Sequence, residues 1–241
     1  KWSLEVISIS RSDAGGLKEV IASIKGRNMS VAERLKFVAK NPIYILLAPL
    51  SRLPYFTFLR ETSTNPHPIT FKIWFFQKIL GFNKHAYWPM HFTSKVVGVQ
   101  NIQVGIGTYP GYNPGVYIQG TGTLTIGNYT HVGQNSGILS GGHDMYNHLE
   151  LTKSHTRIGD YCWIGMNAII LPGVTLGNHT IVAAGSVVTK SFVGGNVVIG
   201  GNPAKILKEL NPDEMNPYEY AHKYIGYYRE EVWKQRMTQN K

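Results

Sequence analysis

The chain has 241 residues, of which 43% are hydrophobic, with a formal net charge of +10 and a single cysteine. This length allows one substantial core with appendages, and one cysteine excludes an internal disulfide framework. The positive charge is compatible with nucleic acid, an anionic membrane or a small polyanion as partner, but no nucleic-acid-binding motif accompanies it. No cluster of Cys and His has metal-ligand spacing. We therefore expect neither a nucleic-acid partner nor a bound metal.

Residues 1–95 are predicted to form a helical or irregular N-terminal extension. One helix is expected to end near Pro42, and a second apolar piece lies between Pro42 and Pro54. Residues 69–80, ITFKIWFFQKIL, are apolar and aromatic with two lysines. Two interpretations stay open: packing within the protein or its assembly, or peripheral contact with an anionic membrane. No transmembrane span or signal peptide is visible, so a cytoplasmic location, with the inner face of the membrane as a variant, is expected.

A six-residue repeat dominates the middle of the chain. Beginning at Ile126, the units are IGNYTH, VGQNSG, ILSGGH and, after an interruption, IGDYCW, IGMNAI, ILPGVT, LGNHTI, VAAGSV and VTKSFV. Each unit opens with an aliphatic residue, and the fifth residue is small in every unit except the last. A fixed period of this kind outranks local propensity as a signal of fold.

The period predicts a parallel β-helix. If each unit is a short strand plus a corner, three strands make one triangular coil whose interior is filled by the first and fifth residues. A helix is excluded because six residues drift around a 3.6-residue turn. The corners are expected to need positive φ angles at five glycine and asparagine positions, namely Gly127, Asn128, Gly159, Gly177 and Asn178.

Three segments depart from the repeat. The β-helix is predicted to begin at residue 96 with an irregular first part. There the segment PGYNPG (110–115) interrupts the period and is rich in turn-forming residues. Residues 144–157 are an insertion that springs from a corner, and a loop of this length in a regular array is usually functional. The β-helix is predicted to end at residue 206, and residues 207–241 are expected to form a helical tail.

These features resemble the hexapeptide-repeat (left-handed β-helix) acyltransferases, in particular the galactoside, maltose and xenobiotic acetyltransferases and the polysaccharide O-acetyltransferases. The resemblance covers residues 96–206 and is strongest in 157–190 and in GGNPAKIL (200–207). It implies a left-handed coil, a homotrimer and acetyl-CoA as co-substrate.

His143 is the candidate general base. It is the sixth residue of its unit, at a corner where side chains face outward, directly before the insertion. Neutral imidazole is the natural base near pH 7, and family enzymes carry their base in a similar position. Asp144, Glu150 or a main-chain carbonyl could orient the ring. Asn135 could donate to the oxyanion or simply turn its corner.

The resemblance also implies a coenzyme groove between neighbouring subunits. Main-chain groups near four residues would follow the pantetheine arm, where small side chains let a ligand approach the backbone: Gly165, Met166, Ala184 and Gly185. Three polar residues would meet the phosphates and the adenine end: Thr189, Lys190 and Lys205. The acceptor candidates are Tyr112, Asn113, Asp144 and Trp163, for which turn formation or packing against another subunit are the alternatives.

The sequence therefore predicts an acetyl-CoA-dependent O-acetyltransferase that acts on a saccharide hydroxyl of the capsule or lipopolysaccharide type by direct attack. Cys162 occupies an interior position and is interpreted as a buried spacer, not as a nucleophile. Two other functions stay open. One is N-acetylation of an amino sugar or of a xenobiotic, and the other is a non-enzymatic β-helix scaffold.

Overall fold

The computed structural model describes residues 53–239. The chain divides into two compact units, Lys1–Phe71 and Lys72–Lys241. The unit boundary thus precedes the predicted domain boundary at residue 95. The helix predicted to end near Pro42 and most of the apolar piece after it lie outside the described residues.

The described part of the first unit is a short helical segment. A 3-10 turn (Pro54–Phe56) leads into α1 (Thr57–Glu61). The Thr62 hydroxyl ends this helix by donating to the carbonyl of Phe58 at 2.6 Å, and it accepts the N–H of Ile69 at 2.9 Å. This buried hydroxyl is satisfied on both sides, as a buried polar group must be.

A second helical segment opens the second unit. Helix α2 (Phe71–Trp74) begins at the last residue of the first unit and continues as a π-helix (Phe75–Ile79). Gln77 is fully buried, donates to the carbonyl of Trp88 at 2.9 Å and accepts the Tyr227 hydroxyl at 2.6 Å. This segment therefore packs within its unit, while contact with a membrane stays a prediction. None of the helices in residues 53–239 is long and apolar enough to span a bilayer.

The rest of the second unit is built on three parallel sheets that the chain visits in turn. The first face contains β1 (Lys95–Val97), β3 (Tyr117–Gln119), β6 (Gly137–Leu139), β11 (Ile169–Ile170) and β14 (Val187–Val188). The second face contains β2 (Ile102–Val104), β4 (Thr123–Ile126), β9 (His155–Ile158) and β12 (Thr175–Leu176). The third face contains β5 (His131–Val132), β10 (Trp163–Ile164), β13 (Ile181–Val182) and β15 (Val197–Gly201). We name the edges by the faces they join: first–second, second–third and third–first.

The interior follows the predicted pattern. The opening aliphatic residues stack in register along each face, for example Val132, Ile164 and Val182 on the third face. Most of the fifth residues are buried as well, and the exceptions are Gly142 and Phe192, which are half-buried. Two of the buried hydroxyls bond between coils: Thr130 donates to the carbonyl of Gly159 at 2.8 Å, and Ser136 to that of Gly165 at 2.9 Å. Small polar residues thus fit the narrow interior without unsatisfied groups.

The corner prediction was wrong in its positions. The left-handed φ angles fall on the fourth residue of the unit, including Tyr129 (52°), Tyr161 (54°) and His179 (54°), and not on the five positions predicted. The glycine at the second position has another cause. A Cβ atom at Gly159 would lie 2.5 Å from the side-chain oxygen of Asn178 on the next coil. Glycine is there because stacked corners pass close to one another.

Two further departures concern the insertion and the tail. Strands β7 (Gly141–His143) and β8 (Leu151–Lys153) pair as an antiparallel hairpin, and β9 returns the chain to the second face at His155. The segment outside the coil therefore runs from residue 141 to residue 154 and is shifted toward the N-terminus relative to the predicted 144–157. After β15, strand β16 (Ala204–Glu209) folds back antiparallel. A 3-10 turn (Pro212–Glu214), a hairpin of β17 (Tyr224–Ile225) and β18 (Tyr228–Arg229), and helix α3 (Glu230–Gln239) complete the tail.

Candidate active site

The hairpin of β7 and β8 leaves the β-helix at the first–second edge. Its strands pair with Gly141 opposite Lys153 and His143 opposite Leu151. The N–H of Ser154 donates to the carbonyl of Ser140 at 2.8 Å and closes the base of the hairpin. A Cβ atom at Gly141 would lie 2.6 Å from the carbonyl of Thr152, so the glycine lets the two strands approach.

His143 ends β7 with an exposed side chain, as predicted from its place in the repeat. Its Nδ1 lies 2.6 Å from the main-chain carbonyl oxygen of His148. A carbonyl only accepts hydrogen bonds, so Nδ1 must carry the proton, and in the neutral ring Nε2 is then the basic nitrogen. Of the three orienting groups that the sequence left open, the structure selects the main-chain carbonyl over Asp144 and Glu150.

Asp144 is directed at the backbone of the hairpin tip. Its Oδ1 accepts the N–H groups of Tyr146 at 2.8 Å and Asn147 at 2.9 Å. These two bonds favour the ionised carboxyl and lower the pKa of Asp144, with the bond from Tyr146 contributing most. Asp144 thus sits beside the candidate base without bonding to it.

Most of the predicted coenzyme positions stack along the third–first edge. Successive coils there are joined by main-chain bonds, from Asn167 to Gln134 at 2.9 Å and from Gly185 to Met166 at 2.9 Å. The positions on this edge, in order along the axis, are Asn113, Asn135, Gly165 with Met166, Ala184 with Gly185, and Lys205, which pairs with Gly200 at the end of β15. Nothing lies within 4 Å of a Cβ atom built at Gly185, so the backbone there is open to a ligand.

The remaining predicted polar positions lie on the first–second edge. Thr189 and Lys190 follow β14 and are exposed, and the ammonium of Lys190 lies 5.7 Å from the centre of the Phe192 ring. Along this edge they stand two coils from the base of the His143 hairpin, which is about 10 Å at the usual strand spacing. The first face separates this edge from the third–first edge. One chain therefore does not bring His143 together with Asn135 or with the positions near Ala184.

The acceptor candidates are dispersed. Trp163 lies on the third face with 58% of its surface exposed, as expected for a sixth position. Asn113 donates from its side chain to the carbonyl of Val132 at 2.7 Å and so ties the 110–115 turn to the next coil. Burial raises the pKa of Tyr112 to about 12. Asn135 has a φ of 56°, so it turns a corner of the β-helix, one of the two roles that the sequence left open.

Cys162 is unsuited to act as a nucleophile. Its side chain is 0% exposed, and burial raises the pKa of its thiol to about 11. A neutral, inaccessible thiol does not attack a thioester at physiological pH. Within residues 53–239, no three His, Cys, Asp or Glu side chains are grouped so that they could hold a metal ion.

The second–third edge holds an aromatic ladder that sequence reasoning missed. The ring of Tyr161 stacks on Tyr129 at 5.2 Å and on His179 at 5.0 Å between centres. The tail covers this ladder through Tyr218. The main-chain carbonyl of Tyr218 accepts the hydroxyl of Tyr161, and the side-chain hydroxyl of Tyr218 lies 2.8 Å from Nε2 of His131. The signal was the recurrence of aromatic residues at the fourth position of the unit. The tail thus covers this edge, whereas the candidate site residues other than Trp163 lie on the other two edges.

Comparison with known proteins identifies the repeat. Residues 155–190 match the family described as bacterial transferase hexapeptide (six repeats). The chain is 33% identical over 122 residues to a galactoside O-acetyltransferase of Escherichia coli, covering 49% of this chain and 59% of that protein. It is 35% identical over 105 residues to a putative colanic acid biosynthesis acetyltransferase of the same species, covering 43% and 57%. The chain thus spans less than two thirds of these relatives.

A solved structure extends the similarity to the fold. A galactoside acetyltransferase in complex with coenzyme A superposes with a TM-score of 0.51 and 26% identity, over 74% of this chain and 90% of that one. Together with the three parallel sheets, this confirms the predicted fold class, a left-handed parallel β-helix. The resemblance to hexapeptide-repeat acyltransferases that the sequence suggested is confirmed as well.

Proposed function

Because the chain carries the repeat of the hexapeptide acyltransferases, we propose that it is an acetyl-CoA-dependent O-acetyltransferase acting on a saccharide hydroxyl. The observation that carries this proposal is the exposed imidazole of His143, whose Nδ1 is bonded to a main-chain carbonyl so that Nε2 is the basic nitrogen. The relatives with sugar acceptors in their names support a saccharide. The relative named for colanic acid biosynthesis favours an acceptor of the capsule or lipopolysaccharide type.

The proposed reaction is direct transfer. Nε2 of His143 takes the proton of the acceptor hydroxyl as its oxygen attacks the carbonyl carbon of the thioester. The tetrahedral oxyanion collapses, the carbon–sulfur bond breaks, and the imidazolium returns the proton to the thiolate of coenzyme A. This route needs no acyl-enzyme, in agreement with the burial of Cys162. Asn135 is proposed to donate a hydrogen bond to the oxyanion.

The site is proposed to form between subunits of a homotrimer. His143, Thr189 and Lys190 lie on the first–second edge, and the small, open positions near Ala184 lie on the third–first edge. A threefold axis would place the first–second edge of each subunit against the third–first edge of its neighbour. The second–third edge is already covered by the tail, so it is the edge least suited to this contact.

The coenzyme would then lie between two different edges. On one subunit its pantetheine arm would pass the open backbone at Gly165, Met166, Ala184 and Gly185, with Lys205 at the end of that row. On the neighbour, Thr189 and Lys190 would meet the phosphates and the adenine end. Lysine ammonium groups suit phosphate as point charges.

The acceptor is proposed to approach His143 from outside the hairpin. Asp144 was a candidate contact, but its carboxylate is bound to the tip backbone, so we propose that it shapes the hairpin and does not contact the sugar. Trp163 offers an exposed ring on the third face, a surface on which a sugar can pack. Tyr112 and Asn113 are weaker candidates, since the Asn113 side chain already bonds within the coil.

The test is a transfer assay with purified protein, acetyl-CoA and a panel of oligosaccharides and amino sugars. Free coenzyme A is measured continuously, and products are identified by mass spectrometry and NMR. We expect acetyl esters on saccharide hydroxyls. Acetyl amides formed only on amino sugars would replace the proposal by N-acetylation, and absence of transfer to every acceptor would remove its support.

A further inference from the structure

The hydrogen bond that orients His143 depends on a hairpin tip that has little packing of its own. Residues 145–153 are all exposed, including Tyr146 at 95% and Leu149 at 94%. A segment without buried apolar area keeps its shape only through local hydrogen bonds. Within one chain, the position of the His148 carbonyl is therefore set by the polar contacts of the tip.

Those contacts start at Asp144. Its carboxylate holds the N–H groups of Tyr146 and Asn147, and its own N–H donates to the carbonyl of Glu150 at 3.0 Å. The side chain of Asn147 accepts the N–H of Leu149 at 3.2 Å and donates to the carboxylate of Glu150 at 2.9 Å. Residues on both sides of His148 are thereby fixed, and its carbonyl is left pointing at Nδ1 of His143.

We propose that Asp144 is a positioning residue: by closing the tip it holds the His148 carbonyl against His143 and so fixes the tautomer with a basic Nε2. The inference rests on the proposed function for its catalytic consequence. The bonds from two N–H groups are charge-assisted, and such bonds are stronger than neutral ones. They link Asp144, which follows His143, to Asn147, which precedes His148.

Loss of the carboxylate has a defined consequence. Without it the N–H groups of Tyr146 and Asn147 have only water as a partner, and the tip can open. Nδ1 of His143 then loses its fixed acceptor, so the proton is no longer confined to that nitrogen. The ring also becomes free to rotate, and small misplacements of a catalytic group can cost about 100-fold in rate.

The experiment compares Asp144→Ala with Asp144→Asn. An amide oxygen can still accept the two N–H groups, so Asp144→Asn should keep kcat within about threefold of the unsubstituted protein. Asp144→Ala should lower kcat about 10- to 100-fold while the KM for acetyl-CoA stays unchanged. The direct readout is NMR of ¹⁵N-histidine-labelled protein, with the His143 signals assigned by their loss in His143→Gln. We expect a protonated Nδ1 in the unsubstituted protein and in Asp144→Asn, and a mixture of tautomers in Asp144→Ala.

A matched control is Asp160→Ala. The carboxylate of Asp160 also accepts a corner N–H, that of Asn128 at 2.6 Å, but at the second–third edge. Its removal should change neither kcat nor the His143 tautomer. If Asp144→Ala does not fold, Asn147→Ala removes the contact to Leu149 and should shift the tautomer in the same direction.

Two results would overturn the inference. One is a folded Asp144→Ala protein with normal kcat and a fully protonated Nδ1. The other is an Asp144→Asn protein as impaired as Asp144→Ala, because the charge and not the tip geometry would then matter. If the unsubstituted protein transfers no acetyl group, the proposed function fails. The tautomer comparison decides the positioning role independently.

Discussion

The proposed site between subunits makes a quantitative prediction for mixed trimers. His143→Ala disables the first–second edge, and Ala184→Trp places a large ring in the open row on the third–first edge, where Ala184 is exposed. Each variant alone should be inactive. The two are co-expressed with different tags and purified through both, so that every trimer contains both kinds of subunit.

The expected activity follows from the symmetry. A trimer with two subunits of one kind and one of the other has three interfaces, and only one joins an intact His143 to an intact groove. Whatever the mixing ratio, the specific activity should be about one third of that of the unsubstituted protein. The controls are trimers carrying the same variant on both tags, which should stay inactive. If doubly tagged trimers form and show no activity, the site lies within one subunit and the reasoning is refuted.

Two further substitutions test the β-helix itself. Cys162→Ser should leave kcat unchanged and alter the free energy of unfolding by less than about 1 kcal/mol, because the hydroxyl can bond to the carbonyl of Gly177 as the thiol does at 3.3 Å. With a thiol pKa of about 11, the native protein should also resist iodoacetamide at pH 8, a pH at which the group stays protonated, and react only after unfolding. Loss of activity in Cys162→Ser, or alkylation of the native protein, would contradict this account. Gly159→Ala should lower the free energy of unfolding in urea by about 1–3 kcal/mol, since its Cβ atom would meet Asn178. Gly194→Ala, where nothing lies within 4 Å, is the neutral control, and equal stability of the two variants would refute the close-approach argument.

The repeat was sufficient to predict the β-helix because its interior positions are set by geometry alone. First residues such as Ile164 and fifth residues such as Ala168 point inward where the six-residue period is unbroken. At the insertion the fifth residue, Gly142, lies in the hairpin instead. The same periodicity placed His143 outside the core at a corner. These predictions depend only on counting along the chain. The structure confirms the core positions and the exposed side chain of His143, but it places His143 on the hairpin strand β7 and not in a coil.

The corners were harder to predict because two different requirements use glycine. Gly159 is needed for the close approach of two coils, a relation between residues far apart in sequence that one unit does not reveal. The left-handed φ at Tyr161 is tolerated by an aromatic residue whose ring stacks on its neighbours along the edge. Reading positive φ from glycine and asparagine alone therefore selected the wrong positions.

The orienting group of His143 could not be predicted because a main-chain carbonyl has no sequence signature. Asp144 and Glu150 are carboxylates near the candidate base in sequence, yet Asp144 binds the tip backbone and Glu150 accepts a hydrogen bond from Asn147. Likewise, Tyr218 covers the aromatic ladder only because the tail folds back onto it, and Tyr218 lies 57 residues beyond Tyr161 in the sequence. Tertiary contacts of this kind become visible only in three dimensions.

The most direct test of the central claim compares His143→Ala with the unsubstituted protein on an acceptor found in the transfer assay. The measurements are kcat for acetyl transfer and, by calorimetry, the affinity for coenzyme A. A general base contributes about 10²- to 10⁴-fold to the rate, so kcat should fall by that factor while coenzyme affinity stays the same. Turnover near that of the unsubstituted protein would contradict the assignment of His143 as the base.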